Sequence, residues 1–387
     1  MKLLLLAPQP FFQNRGTPIA VRLLAETLGK MDHEVHLLVF HEGEDLCMGN
    51  VTVHRTAALP FLRAIPPGFS WQKICCDLLM TVKAIQLHRQ VGFDLVHAVE
   101  ESVFIAMLLR LLFKVPYIYD LDSWMSDQLL AKFTFLRPFR GILESFEKAA
   151  VQASIGVVPV CRAIEDNIRS FNREKPLLRL EDISLLEEDN GRLQEPLREK
   201  FGCQGQIVMY VGNLERYQGM ALLLEAFALA DPAALNCSLI VIGGTEKDID
   251  YYTDMARQLN LARRVFFIGP RPATDLGMYL KQADVLVSPR TEGENTPMKI
   301  YSYMDSGKPI LATKIVSHTQ VLDEDCAFLA APEPSALAAE LQRIFSDSNE
   351  ADRRAKQAKE KATEYSRPAY ERKIMKFYQL MQQAISA

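Results

Sequence analysis

SPRTEGENTPMKIYSYMDSGKPILAT, residues 288–313, reads in order as strand, polar turn, helix, glycine, Pro309 and strand. A turn that leaves the carboxyl end of a strand and opens a helix presents unsatisfied backbone N–H groups and the positive end of a dipole, and both suit a phosphate. The helix is expected to begin near Thr296. Glu292 and Glu294 lie beside this anion site, where carboxylates accept hydrogen bonds from sugar hydroxyls; ordinary N-capping by acidic residues is the competing explanation.

Short apolar runs alternate with longer helical patterns throughout the chain, the signature of parallel sheets with crossover helices. Around the quoted stretch, strands are expected at 207–211, 238–242, 265–268, 285–288, 310–312 and 327–329. An earlier, independent series is expected at 2–7, 34–40, 51–54, 95–98, 117–120 and 156–160, with helices at 19–30, 71–90 and 139–152. Between the two series, the polar and acidic segment 181–199 lacks periodicity and reads as a crossing between domains. The expected division is therefore 1–185, 186–365 and a C-terminal helix within 366–387, whose apolar positions at helical spacing suit packing back over the first domain. Two doubly wound α/β domains in series imply a crevice lined by two sets of carboxyl strand ends, where ligands of such sheets bind.

Composition agrees with that organisation. A length of 387 residues exceeds one hydrophobic core, so two domains are the default. With 49% apolar and 24% charged residues there is no room for a long disordered region, and a net charge of −4 gives no reason to expect nucleic acid as a partner. The opening MKLLLLAPQPFF has too short an apolar run before Pro8 for a signal peptide and reads as a buried strand. No run reaches the roughly 18 apolar residues that a spanning helix needs. The seven cysteines and seven histidines show no ligand spacing, so no metal site is expected and a reducing, cytoplasmic setting is inferred.

The stretch 288–313 resembles the donor-site signature of glycosyltransferase family 4, through Glu292, Gly293, Pro297, Gly307 and Pro309. FDLVHA, YVGNLERYQGMALLLEAFA and VFFIG fall where that family has corresponding segments. The resemblance implies a GT-B fold, a nucleotide diphosphate sugar as co-substrate with no other cofactor, retention of anomeric configuration and no required metal. Three departures stand out. The family's second glutamate, on the helix, corresponds to Ser302; Glu292 matches the first glutamate by its following glycine, whereas Glu294 matches it by distance to Ser302. The arginine and lysine that the family presents to the diphosphate are replaced by Asn213 and Gln218. A diphosphate needs charge-assisted contacts, so Arg290, Lys299 and Arg216 are candidate replacements.

In the first half, NRGTPIAV (14–21) resembles the family's glycine loop: Gly16 permits close backbone approach, Thr17 suits a cap, Pro18 the first helical position, and Arg15 supplies a cation. The donor set implied is thus Gly16, Arg15, Gly212, Asn213, Gln218, Arg290, Glu294, Asn295, Thr296, Lys299 and Ser302. Candidate catalytic residues are Glu292, His97, Asp120 and Asp122. His97 is expected to end a strand at a histidine-bearing position of the family, although the family's second histidine is Val99 here. Asp120 and Asp122 stand two apart past a buried strand, which puts them on one side if the strand continues, suited to acceptor hydroxyls or a proton. Glu100 and Glu101 join them at strand ends.

AKFTFLRPFRGIL (131–143) interleaves Lys132, Arg137 and Arg140 with Phe133, Phe135 and Phe139, a pattern suited to an anionic membrane surface and to a peripheral place at the inner membrane face. The expectation is a retaining hexosyltransferase acting on a glycan, lipid-linked or small-molecule acceptor. A degenerate nucleotide-sugar or glycan binding protein, or a nucleotide-sugar epimerase of the same fold, are the alternatives that Asn213, Gln218 and Ser302 keep open.

Overall fold

The computed structural model describes residues 1–13, 16–65, 68, 70–186, 196–203 and 205–386. The chain divides into two units, Met1–Glu181 with Tyr370–Ala387, and Asp182–Ala369.

The first unit is built on six parallel strands, β1 (Lys2–Leu6), β2 (Glu34–Val39), β3 (Val51–Arg55), β4 (Leu95–Val99), β5 (Tyr117–Leu121) and β6 (Gly156–Pro159), in the spatial order β3-β2-β1-β4-β5-β6. Helices cover both faces, so the inner strands are mostly apolar rather than alternating, whereas the edge strand β3, VTVHR, alternates. In β1, Leu4 and Leu6 enter one core cluster, while Leu3 and Leu5 are fully buried as well. The C-terminal helix Arg367–Ser386 belongs to this unit from Tyr370 onward. Its buried positions Tyr370, Ile374, Phe377, Tyr378 and Met381 form one helical stripe. Gly156 makes room for that stripe, because a Cβ there would lie 2.7 Å from the Phe377 ring and 2.8 Å from the Met381 sulfur. Lys373 donates to Glu181 at 3.0 Å and closes the same contact.

The second unit repeats the plan with β7 (Gln206–Val211), β8 (Cys237–Ile242), β9 (Val265–Gly269), β10 (Val285–Ser288), β11 (Ile310–Thr313) and β12 (Phe328–Ala330), in the order β12-β11-β10-β7-β8-β9. Val208 and Tyr210 of β7 face one cluster, and Ile207 and Met209 the other. In each sheet the chain winds outward in two directions from a central pair, β1 and β4 or β7 and β10. A crevice forms outside the carboxyl ends of such a pair, since the connections leave it to opposite sides. The segments that follow β7 and β10 begin at Gly212 and Pro289, so the two polar stretches singled out in the sequence flank one switch point.

Among the described residues of the segment expected to cross between domains, regular structure forms at the end, in the helix Leu197–Phe201; residues 187–195 lie outside the described part. Before it, the Ser184 N–H donates to the Tyr365 carbonyl at 3.4 Å, and the Leu185 N–H to Ser302 Oγ at 3.0 Å.

Candidate active site

At the switch point of the second unit, the turn after β10 is held by its own arginine. Arg290 Nε donates to the Glu292 carbonyl at 2.6 Å, Nη1 to the Asn295 carbonyl at 2.9 Å and Nη2 to Asn295 Oδ1 at 3.0 Å. The guanidinium also lies 5.3 Å from the Tyr217 ring centroid. Gly293 fits against this fork, because a Cβ there would stand 2.1 Å from Nη2. Arg290 therefore shapes the loop with three of its N–H groups, and burial depresses its pKa.

The helix that follows is Lys299–Ser306, so its first turn begins three residues later than the sequence suggests. Pro297 keeps Thr296 itself out of the helix, since a proline disfavours helical backbone at the residue before it. Gly307, at φ +68, ends the helix in the left-handed conformation, and Pro309 leads into β11.

The displacement puts Lys299 itself at the helix N-terminus. Its Nζ sits 3.9 Å from the Tyr210 ring centroid and 3.3 Å from Gln218 Oε1. Gly212, at φ +151, completes the corner: a Cβ there would lie 2.8 Å from that Nζ. Among the described residues no carboxylate pairs with Lys299 or Arg290. Burial, and after it the Arg290 charge, holds the Lys299 ammonium well below its usual pKa.

His318 lies fully buried beneath the loop, a residue that the sequence reading passed over. Its Nε2 is 2.9 Å from Ser288 Oγ and its Nδ1 2.8 Å from the Thr313 carbonyl, while the Thr313 hydroxyl donates to the Arg290 carbonyl. Its pKa is pushed down to about 4, first by burial, with Lys299 and Arg290 lowering it further. Burial is the larger cause of both shifts, and the Arg290 charge adds to each. Nothing in local spacing marks His318, because its partners come from β10 and β11 and the only sequence cue was a histidine after an apolar strand.

The other donor residues predicted in the second unit fall on this rim, except Ser302. Gln218 is buried, and its Oε1 is also 3.4 Å from the Tyr210 hydroxyl; that hydroxyl donates to the Asn213 carbonyl at 2.6 Å, leaving the Asn213 side chain exposed. Glu292 is exposed, and among the described residues its carboxylate has no partner within the chain. Glu294 is exposed and engaged within the chain, its carbonyl accepting from Gln320 Nε2 at 2.5 Å; Thr296 is buried beside the same amide. Arg216 is exposed on the short turn Arg216–Gln218. Ser302 is the exception: it is fully buried with its Oγ bound to the Leu185 N–H, so a ligand at the rim does not meet it.

In the first unit the acidic residues gather past β4 and β5. Glu100 follows β4 directly with φ +50, a conformation rare for a side chain of its kind, and burial raises its pKa, with the Glu101 and Asp120 charges adding to the effect. Glu101 forms an ion pair with Lys73. His97 lies inside β4 rather than at its end and is fully buried, which removes it from contact with a substrate. Its Nδ1 is 2.7 Å from the Tyr378 hydroxyl and its Nε2 3.1 Å from Asp120 Oδ2, so it orients Asp120. β5 stops at Leu121, and the strand pleat therefore does not carry Asp120 and Asp122 to a common side.

The helix Gly16–Gly29 starts earlier than expected, leaving Thr17 and Pro18 inside its first turn rather than at cap and first position. Gly16 is exposed, with open space where a Cβ would stand. Arg15 lies outside the described residues. In 131–143, Phe135 and Phe139 are exposed, but Arg140 is paired with Asp127 and Glu144, so that segment is less basic in space than in sequence. Among the described residues there is no cluster with metal-ligand character, and no helix is long and apolar enough to cross a membrane.

The family model described as "Glycosyl transferases group 1" matches residues 194–361, and "Glycosyltransferase Family 4" matches residues 15–177. A D-inositol 3-phosphate glycosyltransferase of Corynebacterium glutamicum is 28% identical over 142 residues, 35% of this chain; the match spans only 34% of that relative's length. Among solved structures, a sucrose-phosphate synthase from Thermosynechococcus elongatus is similar with a TM-score of 0.81 at 20% identity, covering 99% of each chain. The Anabaena protein HepE in complex with UDP-glucose is similar at 0.74 and 18% identity, covering 99% of this chain and 100% of that one. At such identities the likeness speaks for the fold, which is a two-domain α/β fold of the GT-B type.

Proposed function

The chain belongs to the group 1 glycosyltransferases, and on that premise we propose that it transfers a hexosyl unit from a nucleotide diphosphate sugar to an acceptor hydroxyl, with retention and without a metal ion. One observation carries the reading of the donor: Lys299 and Arg290 stand at the switch point of the second unit, and among the described residues no carboxylate neutralises them. Such a corner is complementary to a diphosphate. Lys299 also accounts for the missing basic pair, because its Nζ lies beside the side chain of Gln218, at the position where the family carries a lysine. UDP is the natural probe, given the UDP-glucose bound by HepE.

In this reaction the acceptor oxygen bonds to the anomeric carbon on the face from which the diphosphate leaves. The donor C–O bond breaks with its electron pair on the phosphate, and the acceptor proton passes to a departing phosphate oxygen. Stabilising the developing negative charge is then the main requirement, which Lys299 and the backbone N–H groups at its helix N-terminus meet. Glu292 hydrogen-bonds hydroxyls of the transferred sugar. The acceptor is bound by the first unit, where Asp120, oriented by His97, and Glu100 offer hydrogen-bond acceptors.

Lys299→Ala is expected to weaken UDP binding at least tenfold, about 1.4 kcal/mol, and to change uridine binding far less. Calorimetry with both ligands reads this directly, and unchanged UDP affinity would remove the charge argument. Transfer is also expected to persist in excess EDTA; activity abolished by the chelator and restored by magnesium or manganese would overturn the metal-independent reading.

A further inference from the structure

The first unit contains a cavity of about 320 Å³ that the donor chemistry does not use. It lies among the helices Trp71–Val91, Val103–Phe113 and Met125–Lys132, and Ile74, Leu78, Phe104, Leu108, Met125 and Leu129 form its apolar wall together with Ile105. Two of those helices follow β4 and β5, so the cavity lies on the side of the sheet where those strands end.

Three charged side chains form its polar end. Lys73 and Glu101 pair with one another and cancel. Asp77 is the third, and its Oδ1 is buried without a hydrogen-bond partner among the described residues. Burial, with the Glu101 charge adding to it, raises the Asp77 pKa to about 8, so the group is mostly a neutral acid near pH 7. An apolar cavity ending in an unpaired, neutral donor and acceptor suits an uncharged amphiphile.

The outer face of the same helix identifies the apolar part of that ligand. Trp71, Ile74, Leu78 and Val82 are exposed at helical spacing, and Ile74 and Leu78 also line the cavity. Apolar surface is thus continuous from outside the molecule into the interior. A compact ring would need only the interior, whereas an extended hydrocarbon covers both.

We propose that this cavity binds the alkyl tail of a neutral, lipid-type acceptor, with the hydroxyl-bearing head beside Asp77 and toward the ends of β4 and β5. The inference rests on the glycosyl-transfer reading for the word acceptor, and on the cavity alone for the tail.

Calorimetry of the full chain with n-alkyl β-D-glucosides, kept below their micellar concentrations, tests it without turnover. From hexyl upward, affinity is expected to rise about fourfold per added methylene until the cavity is filled, and then to level off. Leu108→Trp, which fills the cavity, is expected to weaken decyl glucoside binding at least tenfold while leaving UDP affinity unchanged. Should that variant fail to bind UDP because it does not fold, Thr81→Leu narrows the same cavity with a smaller change of volume and is expected to weaken decyl glucoside binding. No dependence on chain length, or decyl glucoside binding at the wild-type level in a folded, cavity-filled variant, would overturn the proposal; the latter would mean that the chain rests on the outer stripe or another surface. Absent UDP binding in the wild type together with intact chain-length dependence would count against the donor reading alone and support the tail site.

Discussion

Glu292→Gln is expected to lower turnover tens to hundreds-fold, a loss of ~2–4 kcal/mol in transition-state stabilisation, while the affinity for free UDP stays nearly intact. The reason is the way the side chain is presented. Arg290 holds the Glu292 carbonyl at 2.6 Å, so the backbone is fixed while the carboxylate stays exposed and, among the described residues, unpaired. A rigidly mounted, uncommitted carboxylate can accept hydrogen bonds from a sugar whose hydroxyls polarise as charge develops at the anomeric carbon. Glutamine keeps the shape and removes the charge. Steady-state kinetics beside calorimetry separates the two effects: a large loss in UDP affinity would assign Glu292 to the nucleotide instead. Wild-type turnover in Glu292→Gln with a large loss in Glu294→Gln would move the role two residues along the loop.

The second large effect concerns stability. The His318 pKa is pushed down to about 4 in the folded chain, against about 6.5 for an unperturbed histidine. Between those values the unfolded chain binds a proton that the folded chain refuses, so stability falls as pH drops from about 6.5 toward 4 and levels off below. The full span corresponds to about 3 kcal/mol from this one side chain. Urea unfolding of the full chain at pH 7 and pH 4.5 is expected to show a steeper loss in the wild type than in His318→Gln, by about 2–3 kcal/mol for the transition that includes the second unit. Glutamine cannot titrate, although it keeps a donor and an acceptor for Ser288 and Thr313. Equal pH dependence in the two proteins would mean that His318 is not the group refusing the proton.

A diphosphate at the rim is expected to oppose this shift, because Lys299 and Arg290 both depress the His318 pKa and a bound anion would offset their charge. The anion corner and the buried histidine are in this sense one electrostatic unit. The Thr313 hydroxyl, which donates to the Arg290 carbonyl, links the buried histidine's surroundings to this loop.

Much of the fold was legible because it is written at short range. Strand positions followed from apolar runs bounded by turn residues, and helices from apolar spacing near 3.6, both of which depend on a few neighbouring residues. The turn and helix of 288–313 were legible for the same reason, as was the glycine that ends the helix. The helix starts three residues later than expected, at Lys299, and the restriction that Pro297 imposes on Thr296 accounts for the first of them.

The sequence by itself determined the two α/β series, the apolar strands, the polar loop after β10 and the resemblance that names the family. Tertiary structure alone decided which of the singled-out side chains face outward. His97 is fully buried because Tyr378, 281 residues away, closes over it, and Ser302 is taken up by the Leu185 N–H from 117 residues away. Lys299 acquires its place against Tyr210 and Gln218 only because the order β10-β7 sets two distant loops side by side. Local spacing encodes the type of element and which face is apolar; burial, partner and charge environment come from contacts between residues far apart in the chain, and no short window contains them.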